Sequence, residues 1–456
     1  MKIAKLAAAL CLAQLAACNS IPTMVPDMAM QTSQPVQLKG AHGPLSTQQS
    51  KTILARLKKN GADTDIFTKH LVLEEEIVGS PLVVGNKVDL LVDGPITYKS
   101  MFAAIKNAKN HVNMETYIIE DDEIGRRFTE LLIEKQRSGV QVNLIYDSVG
   151  AINTPNEFFK PLKESGVNIL EFNPINPLNV RKDWQVNQRD HRKLLIVDGQ
   201  VAFVGGINIS SVYSSGSFSR AKPTKDNPPW RDTHLRIAGP VVSEFQKLFL
   251  ATWSQQKGEP LASRDYFPKP GSKGDEVVRA IGSSPEEAFS QIYATLLSAI
   301  NSAETQVFLT NAYFVPDPQL LAALKEAVQR GVDVRLLLPE KIDSAMVYYA
   351  SRSYYDELLS AGVKIYERQE ALLHAKTALI DGVWSTVGST NLDWRSFLNN
   401  QEINAVVLGA NFGAQMQTLF DKDLKSSKLV TLEVWRKRSI GARIKERAAR
   451  LWARWL

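Results

Sequence analysis

The chain has 456 residues, of which 44% are hydrophobic and 22% are charged, and its formal net charge is +6. These proportions are typical of a folded globular protein and exclude an intrinsically disordered chain. No interior segment is apolar over the length that a membrane-spanning helix requires. A chain of this length exceeds one ordinary domain, so we expect two packed halves.

Residues 1–17 have the layout of a secretory signal peptide, because Lys2 and Lys5 come before the apolar stretch from Leu6 to Ala17. The stretch ends in Leu-Ala-Ala before Cys18, a string that resembles the lipobox of bacterial lipoproteins, in which the cysteine is acylated and becomes the new N-terminus. A plain signal peptide and an uncleaved anchor are the alternatives. With Cys11 removed and Cys18 lipidated, no disulfide can form.

The residues after Cys18 predict a tether and a location. In enteric-type sorting an Asp after the acylated cysteine retains a lipoprotein at the inner membrane, so Asn19 favours the outer membrane, with the protein facing the periplasm. Residues 20–46 are rich in Pro, Gln, Ser and Met and show no clear period. We therefore interpret residues 18–70 as a tether followed by a short helix.

A repeated pattern of helices and strands occupies the chain from residue 71 to residue 430. The repeated segments are 104–119, 138–147 and 164–172, which correspond to 299–314, 330–339 and 360–368. Each pair places a helical pattern or a Gly stop before a short β-branched run, which predicts an α/β fold with two similar halves, each a mixed sheet flanked by helices. A stretch rich in Pro, Gly and charge at 260–276 separates the predicted halves, 71–265 and 275–430.

The last predicted element is a basic amphipathic helix over residues 431–456. Residues 436–456 contain eight Lys or Arg residues and a single Glu, which gives a net charge of +7. An apolar stripe runs along the helix at three- and four-residue steps, through Ile440, Ile444, Ala448, Leu451 and Trp455. Such a helix suits an anionic membrane surface, and a helix packed on the domain with a solvated basic face is the alternative. Because the excess basic charge is confined to this end, we expect no nucleic-acid partner.

One chemical constellation occurs twice, and each member of the second copy lies 183 positions after its counterpart. The first copy contains His191, Lys193, Asp198, Gly205, Gly206 and Asn208, and the second contains His374, Lys376, Asp381, Gly388, Ser389 and Asn391. Two imidazoles, two ammonium groups and two amides can hold a phosphoryl group and attack it. The glycines and the serine let the backbone approach a phosphate closely. The pattern therefore predicts a phosphoryl-transfer enzyme.

The two copies resemble the half-sites of the phospholipase D superfamily, whose signature is His, any residue, Lys, four residues and Asp, followed by a Gly-rich turn and Asn. The resemblance implies that the halves pack about a pseudo-two-fold axis with one active site between them. It implies that one histidine attacks phosphorus and forms a phosphohistidine, while the other protonates the departing oxygen. The family usually uses the N-terminal histidine as the nucleophile, which favours His191, but the sequence does not distinguish it from His374.

The other members of the motif receive supporting roles from the same resemblance. Non-bridging phosphate oxygens would be held by Lys193 and Lys376, with amide donors from Asn208 and Asn391. Asp198 and Asp381 complete the catalytic signature, and we assign them structural roles in ordering it. We expect no metal and no cofactor, because two ammonium groups and one imidazolium supply the positive charge and neither copy offers clustered metal ligands.

A catalytic imidazole also needs a partner on its far nitrogen, which fixes its tautomer. Glu402 follows the second motif where family members place such a carboxylate, and Asp232 occupies the parallel position in the first half. A surface ion pair is the alternative for each carboxylate. The inserted segment 211–229 predicts a loop beside the first histidine, either a lid that uses Tyr213, Phe218 and Trp230 or plain disorder.

Within the superfamily, the chain resembles bacterial cardiolipin synthases over about residues 75–456. The resemblance is carried by NAYFVPDPQLLAALKEAVQRGVDVRLLLP, by STNLDWRSFLNNQEIN and by the basic tail with its tryptophans. It implies phospholipid substrates and transfer of a phosphatidyl group, from one phosphatidylglycerol or from another phospholipid, to the primary hydroxyl of a second phosphatidylglycerol. The lipoprotein signal departs from that group, whose members have transmembrane helices or a cytosol-facing domain. Phospholipase D hydrolysis, a periplasmic nuclease and a non-enzymatic envelope lipoprotein are the alternatives.

Overall fold

The structure is a computed structural model that describes residues 36–59, 64–175, 185, 187–214 and 230–456. The predicted signal segment, Cys18, Asn19 and Phe218 lie outside these residues. Among the helices of the described part, none combines the length and the apolar character that crossing a bilayer would require.

The N-terminal segment folds where a tether is predicted. Its elements are β1 (Leu38–Gly40), β2 (Gly43–Pro44), α1 (Thr47–Lys59) and α2 (Ile66–Ile77). Leu38, Phe67 and Leu71 are buried in an apolar cluster with helices of the second half. The interpretation of residues 18–70 as a tether followed by a short helix is therefore corrected for its described residues: helices are present, but their apolar side chains and those of β1 bury against the domain. The predicted start of the first half at residue 71 likewise falls inside α2.

The first half contains one seven-stranded sheet and its helices. The elements are β3 (Leu82–Val92), α3 (Gly94–Lys106), β4 (His111–Thr116), α4 (Glu123–Arg137), β5 (Gln141–Asp147), α5 (Asn156–Glu164), β6 (Asn168–Phe172), β7 (Arg189–Asp190), β8 (Lys193–Val197), β9 (Val201–Gly205), a 3-10 turn (Ser211–Tyr213), β10 (Trp230–Arg231), β11 (Thr233–Ala238) and α6 (Val242–Gln255). The sheet order is β6-β5-β4-β8-β9-β11-β3. Strands β4, β5 and β6 are parallel, and the other pairs are antiparallel.

The second half repeats this order strand by strand and continues into the C-terminal segment. The elements are β12 (Glu276–Ser283), α7 (Gln291–Ser302), β13 (Gln306–Thr310), α8 (Pro318–Gln329), β14 (Asp333–Pro339), α9 (Ala345–Arg352), α10 (Tyr355–Ser360), β15 (Lys364–Arg368), β16 (Leu372–Leu373), β17 (Thr377–Ile380), β18 (Trp384–Gly388), α11 (Trp394–Leu398), β19 (Asn400–Leu408), α12 (Ala410–Lys425), β20 (Ser427–Val430), α13 (Leu432–Arg436), α14 (Ile440–Leu451) and a 3-10 turn (Ala453–Trp455). The order is β20-β15-β14-β13-β17-β18-β19-β12. Antiparallel pairing of β3 with β12 joins the two sheets.

The two sheets pack against each other through a shared apolar core. Leu194 and Val204 of the first half lie in one cluster with Leu379 and Val387 of the second half. Helices α3, α4 and α5 cover the outer face of the first sheet, and α7 and α8 cover that of the second, together with α1 and α2. The predicted α/β class with two similar halves is confirmed, and the central strands β8 and β18 are buried throughout, as strands covered on both faces must be.

The C-terminal segment is divided where one helix over 431–456 is predicted. The chain leaves the helical path between α13 and α14, and the Ser439 hydroxyl then accepts a hydrogen bond from the Ala442 N–H at 3.2 Å. Serine favours this position because its oxygen satisfies an N–H group that has no partner within the helix. The single predicted helix is therefore corrected to two helices and a final turn.

Asp198 and Asp381 tie equivalent turns together in the two halves. Both residues have left-handed backbone angles, with φ of 53° and 49°, and each is followed by a glycine that also has positive φ. Their carboxylates accept hydrogen bonds from three consecutive backbone N–H groups, those of residues 109–111 and 304–306. Each aspartate thus fixes the turn after one strand to the start of its neighbour.

Replacing Asp381 with alanine should destabilise the fold, because three N–H groups would lose an acceptor that is 1% exposed. We expect the free energy of unfolding to fall by about 3 kcal/mol, with the midpoint measured in urea. Asp381→Asn is the matched control, since asparagine keeps one acceptor oxygen and tolerates positive φ. An unchanged midpoint in the alanine variant would rule out the structural role.

Candidate active site

Each motif histidine lies on a short segment that pairs with the other half of the chain. Strand β7 pairs in parallel with the start of β19, and the His191 N–H donates to the carbonyl of Gln401 at 2.9 Å. In the same way β16 pairs with β10, and the His374 N–H donates to the carbonyl of Arg231 at 2.8 Å. The residue that follows each of these acceptors is a carboxylate. The register of two short ladders therefore places each histidine beside an acidic side chain of the opposite half.

The carboxylates bind the histidines crosswise. His191 Nδ1 lies 3.0 Å from Oε1 of Glu402, and His374 Nδ1 lies 2.7 Å from Oδ2 of Asp232. Both carboxylates are fully buried, so they are not surface ion pairs. A carboxylate at Nδ1 holds the proton on that nitrogen and leaves Nε2 as the nitrogen available for chemistry.

Burial dominates the proton affinity of the two histidines, whereas neighbouring charges dominate that of Glu402. It lowers the pKa of His191 to about 4, although Glu402 opposes the shift. It also lowers the pKa of His374 to about 4, and the nearby Lys376 adds to the effect. Burial alone would raise the pKa of Glu402, but His191 and Lys193 outweigh it and hold that pKa at about 2. Burial alone would also raise the pKa of Asp232, but His374 and Lys376 outweigh it and lower that pKa. Both carboxylates are therefore ionised and both imidazoles are neutral near pH 7.

The two pairs differ in how the carboxylate is supported. Ser389 donates its hydroxyl to Glu402. Its counterpart Gly206 has no side chain, and a Cβ atom there would lie 2.2 Å from Oδ1 of Asp232. On that side Tyr213 lies with its hydroxyl 3.3 Å from His374 Nδ1. Gly206 thus leaves room for the shorter carboxylate Asp232, whereas Ser389 donates a hydrogen bond to the longer carboxylate Glu402.

The motif lysines lie behind the histidines. Lys193 Nζ donates to the His191 carbonyl at 2.5 Å, and Lys376 Nζ donates to the His374 carbonyl. Both side chains are about 2% exposed. Burial lowers the pKa of Lys193 to about 7 and that of Lys376 to about 8, although carboxylates around them oppose the shift. Part of the positive charge of the site is therefore lost in mildly alkaline solution.

One cavity joins the two halves of the site. It has a volume of about 360 Å³ and is lined on one side by Tyr117, His191, Asn208 and Trp230, and on the other by Tyr313, His374 and Asn391. The structure thus brings both histidines and both asparagines of the repeated motif to a single space. Gly205 and Gly388 lie at the ends of β9 and β18 behind it, whereas Asp198 and Asp381 lie at the opposite ends of β8 and β17 from the motif lysines.

Several side chains of the site have no counterpart in the repeated signature. Tyr117 meets the His191 ring edge-on with 5.1 Å between centroids, and Lys193 Nζ lies 5.2 Å from the centre of the same tyrosine ring. Trp230 lies 5.1 Å from the His374 ring, and Tyr213 also accepts a hydrogen bond from Asn208 at 3.0 Å. Trp230 and Tyr213 belong to the predicted lid, whereas Tyr117 is signalled only by its position at the end of a buried strand.

A phosphate anion in this cavity would lie between two neutral imidazoles, with the two buried ammonium groups behind them. Because the charged form of each lysine attracts the anion, affinity should fall as the pH rises through the lysine pKa values. We expect binding of dimethyl phosphate, whose charge is constant in this range, to weaken at least about tenfold from pH 7 to pH 9. Calorimetric titration measures this, with Lys376→Met as the variant that should make the profile shallower, because only Lys193 of the two lysines then titrates in this range. Equal affinity at both pH values would contradict the electrostatic account.

Comparisons with known proteins show which family the chain belongs to. The family model described as cardiolipin synthase, PLD-like domain, matches residues 101–217 and 296–424. A cardiolipin synthase of Geobacillus kaustophilus is 36% identical over 81% of this chain and 72% of its own length. The major cardiolipin synthase of Bacillus subtilis is 34% identical over 85% of this chain and 77% of its own length.

A solved structure shares the fold. Phosphatidylserine synthase from Haemophilus influenzae aligns with a TM-score of 0.62 over 84% of this chain and 99% of its own, at 13% sequence identity. At this identity the likeness concerns the fold alone. The family match and the curated relatives carry the assignment further: the chain belongs to the cardiolipin synthase family, a family of phosphatidyltransferases within the phospholipase D superfamily.

Proposed function

We propose that this enzyme transfers a phosphatidyl group from one phosphatidylglycerol molecule to the primary hydroxyl of a second, which yields cardiolipin and glycerol through a phosphohistidine intermediate. The observation that carries the proposal is the pair of histidines in one cavity, each held at Nδ1 by a buried carboxylate of the opposite half. Similarity to cardiolipin synthases at 34–36% identity supports the choice of substrate.

The first step forms the covalent intermediate. Nε2 of His191 donates its electron pair to phosphorus, and the bond between phosphorus and the glycerol headgroup oxygen breaks. His374 gives its proton to that oxygen, so that glycerol leaves as a neutral alcohol. The bound phosphate anion favours the protonated form of His374 that this step requires. Glu402 balances the positive charge that develops on the phosphorylated imidazole.

The second step reverses these roles with a new alcohol. His374 takes the proton from the primary hydroxyl of the second phosphatidylglycerol, whose oxygen then attacks phosphorus. The bond between phosphorus and nitrogen breaks, and His191 is neutral again. Lys193 and Lys376 balance charge on the non-bridging oxygens, with amide donors from Asn208 and Asn391. Gly206 and Ser389 let the backbone approach the phosphoryl group, and no metal enters either step.

Attachment to the cell envelope completes the proposal. Acylation of Cys18 would anchor the chain to a membrane after removal of residues 1–17, and Asn19 favours the outer membrane with the domain facing the periplasm. The basic C-terminal helix would add a second membrane contact.

Cys18→Ala should abolish incorporation of labelled palmitate in cells, and continued labelling of that variant would contradict lipidation at this residue.

The reaction product distinguishes phosphatidyl transfer from lipid hydrolysis and from DNA cleavage. Purified full-length enzyme, given phosphatidylglycerol with a labelled headgroup in mixed micelles, should release glycerol and form cardiolipin. Phosphatidic acid as the sole product would identify a hydrolase, in which water replaces the second lipid. Cleavage of DNA with lipid untouched would identify a nuclease. The His374→Ala variant is the control for contaminating activity.

A further inference from the structure

The apolar stripe along α14 and the turn that follows it faces away from the protein. Ile440, Ile444, Leu451 and Trp455 are 75%, 62%, 81% and 70% exposed, and Trp452 beside them is 56% exposed. If the stripe packed on the domain, these side chains would be among the most buried of the helix. Soluble proteins seldom leave an apolar stripe of this kind uncovered, and such a patch indicates a binding surface.

Contacts on the opposite face of the helix hold this orientation. Glu446 and Ala449 are buried against the domain. Arg438 pairs with Glu446 at 2.9 Å, and Arg450 lies 4.3 Å from the centre of the Tyr354 ring. The helix is thus attached through a charged residue and a small residue, which leaves its large apolar residues outside.

The end of the same segment forms part of the cavity wall. Trp455 and Leu456 line the cavity that holds both histidines, and the Leu456 carbonyl accepts a hydrogen bond from the Arg395 N–H at 2.9 Å. Helix α9 contributes Val347 to the cavity and carries Met346, which is 48% exposed. The C-terminal end of the uncovered stripe therefore lies at the mouth of the cavity that holds both histidines.

Free basic charge surrounds the stripe. Within the described part of the chain, Arg443, Lys445, Arg447 and Arg454 form no ion pair with a carboxylate, and all four are exposed. The segment from 436 to 456 carries a net charge of +7. A cationic helix with leucine, isoleucine and tryptophan on its outer side matches an anionic lipid surface in both charge and polarity.

We propose that the stripe and its flanking cations form a docking surface for an anionic bilayer, and that docking sets the cavity mouth against the lipid headgroups. Lipid substrate then enters from the membrane beside Trp455, without passing through water. This proposal rests on the proposed function, because it assigns the route by which phospholipid reaches that site.

Introducing acidic residues into the apolar stripe separates membrane docking from chemistry. The test uses full-length chain carrying Cys18→Ser, so that no acyl anchor contributes, with Ile444→Glu and Leu451→Glu combined. Phe267→Glu is the matched control, since Phe267 is also exposed, at 45%, and its neighbour Pro268 packs on Gly199, at the end of β8 away from His191. Vesicles contain phosphatidylglycerol and phosphatidylcholine in a ratio of about 3:7, chosen for an anionic surface potential.

For the double variant we expect at least tenfold weaker binding to vesicles, measured by co-sedimentation, and at least tenfold slower turnover of vesicle lipid. The Phe267→Glu control should bind and turn over like the parent chain. Turnover of monomeric dihexanoyl phosphatidylglycerol should remain the same in all three proteins. Undiminished vesicle binding by the double variant would overturn the proposal, as would a dimer of the parent chain that the double variant loses in light scattering. Vesicle binding without turnover of either substrate by the parent chain would instead refute the proposed function.

Discussion

Replacing either His191 or His374 with alanine should reduce cardiolipin formation at least about 1,000-fold, because one variant lacks the nucleophile and the other lacks the acid and base. The fold should be retained, since both side chains border the cavity. His111→Asn is the matched control, because this histidine is buried too but lies at the turn that Asp198 fixes, away from the cavity. Rates are measured by release of labelled glycerol.

A substrate with a good leaving group distinguishes the two histidines. Phosphatidyl p-nitrophenol needs no proton on its departing oxygen, so His374→Ala should still release a burst of one p-nitrophenolate per enzyme and then stall. His191→Ala should give no burst. Turnover near the normal rate in either variant, or a burst in the His191 variant alone, would show that the roles are assigned wrongly.

The crosswise carboxylates give the second large effect. Glu402→Gln and Asp232→Asn keep an acceptor oxygen for Nδ1 but remove the charge that stabilises an imidazolium. Each should lower cardiolipin formation by about 100- to 10,000-fold. On the p-nitrophenyl substrate, Glu402→Gln should slow the burst, because Glu402 serves the nucleophile. Asp232→Asn should leave the burst intact and slow the steps that follow.

A slow burst in Asp232→Asn together with an intact burst in Glu402→Gln would indicate that each carboxylate serves the histidine of its own half. Thermal unfolding of both variants gives the necessary control, since each removes a buried charge. Ser389→Ala offers a milder comparison, because it removes one donor to Glu402 and leaves both carboxylates in place. Its burst should slow less than that of Glu402→Gln.

The repeated pattern predicts the fold because each half uses the same local rules. Short β-branched runs with both faces covered become β8 and β17, and identical motif spacing places His191 and His374 at equivalent strand ends. The sequence also points to Glu402 and Asp232 as carboxylate partners. It does not reveal which histidine each carboxylate meets. That depends on β7 and β10, two-residue strands that are too short to show a period and that pair with the opposite half.

At the two ends of the chain, hydrophobic periodicity does not predict what the apolar side chains pack against. Leu38 and Phe67 join the core of the second half across more than 200 residues of sequence, which no local pattern encodes. At the other end, the stripe of α14 is visible in the sequence. A stripe that packs on the domain and a stripe that faces outward have the same spacing, so only the buried Glu446 and Ala449 reveal which side of the helix meets the protein.

The proposed mechanism requires a covalent phosphatidyl group on one particular histidine. Enzyme mixed with phosphatidyl p-nitrophenol labelled at phosphorus is quenched within the burst, digested and mapped by mass spectrometry under conditions that preserve phosphoramidates. We expect one phosphatidyl group on Nε2 of His191, in the parent enzyme and more abundantly in His374→Ala. Label on any other residue, or full turnover with no covalent species at any time, would contradict the mechanism.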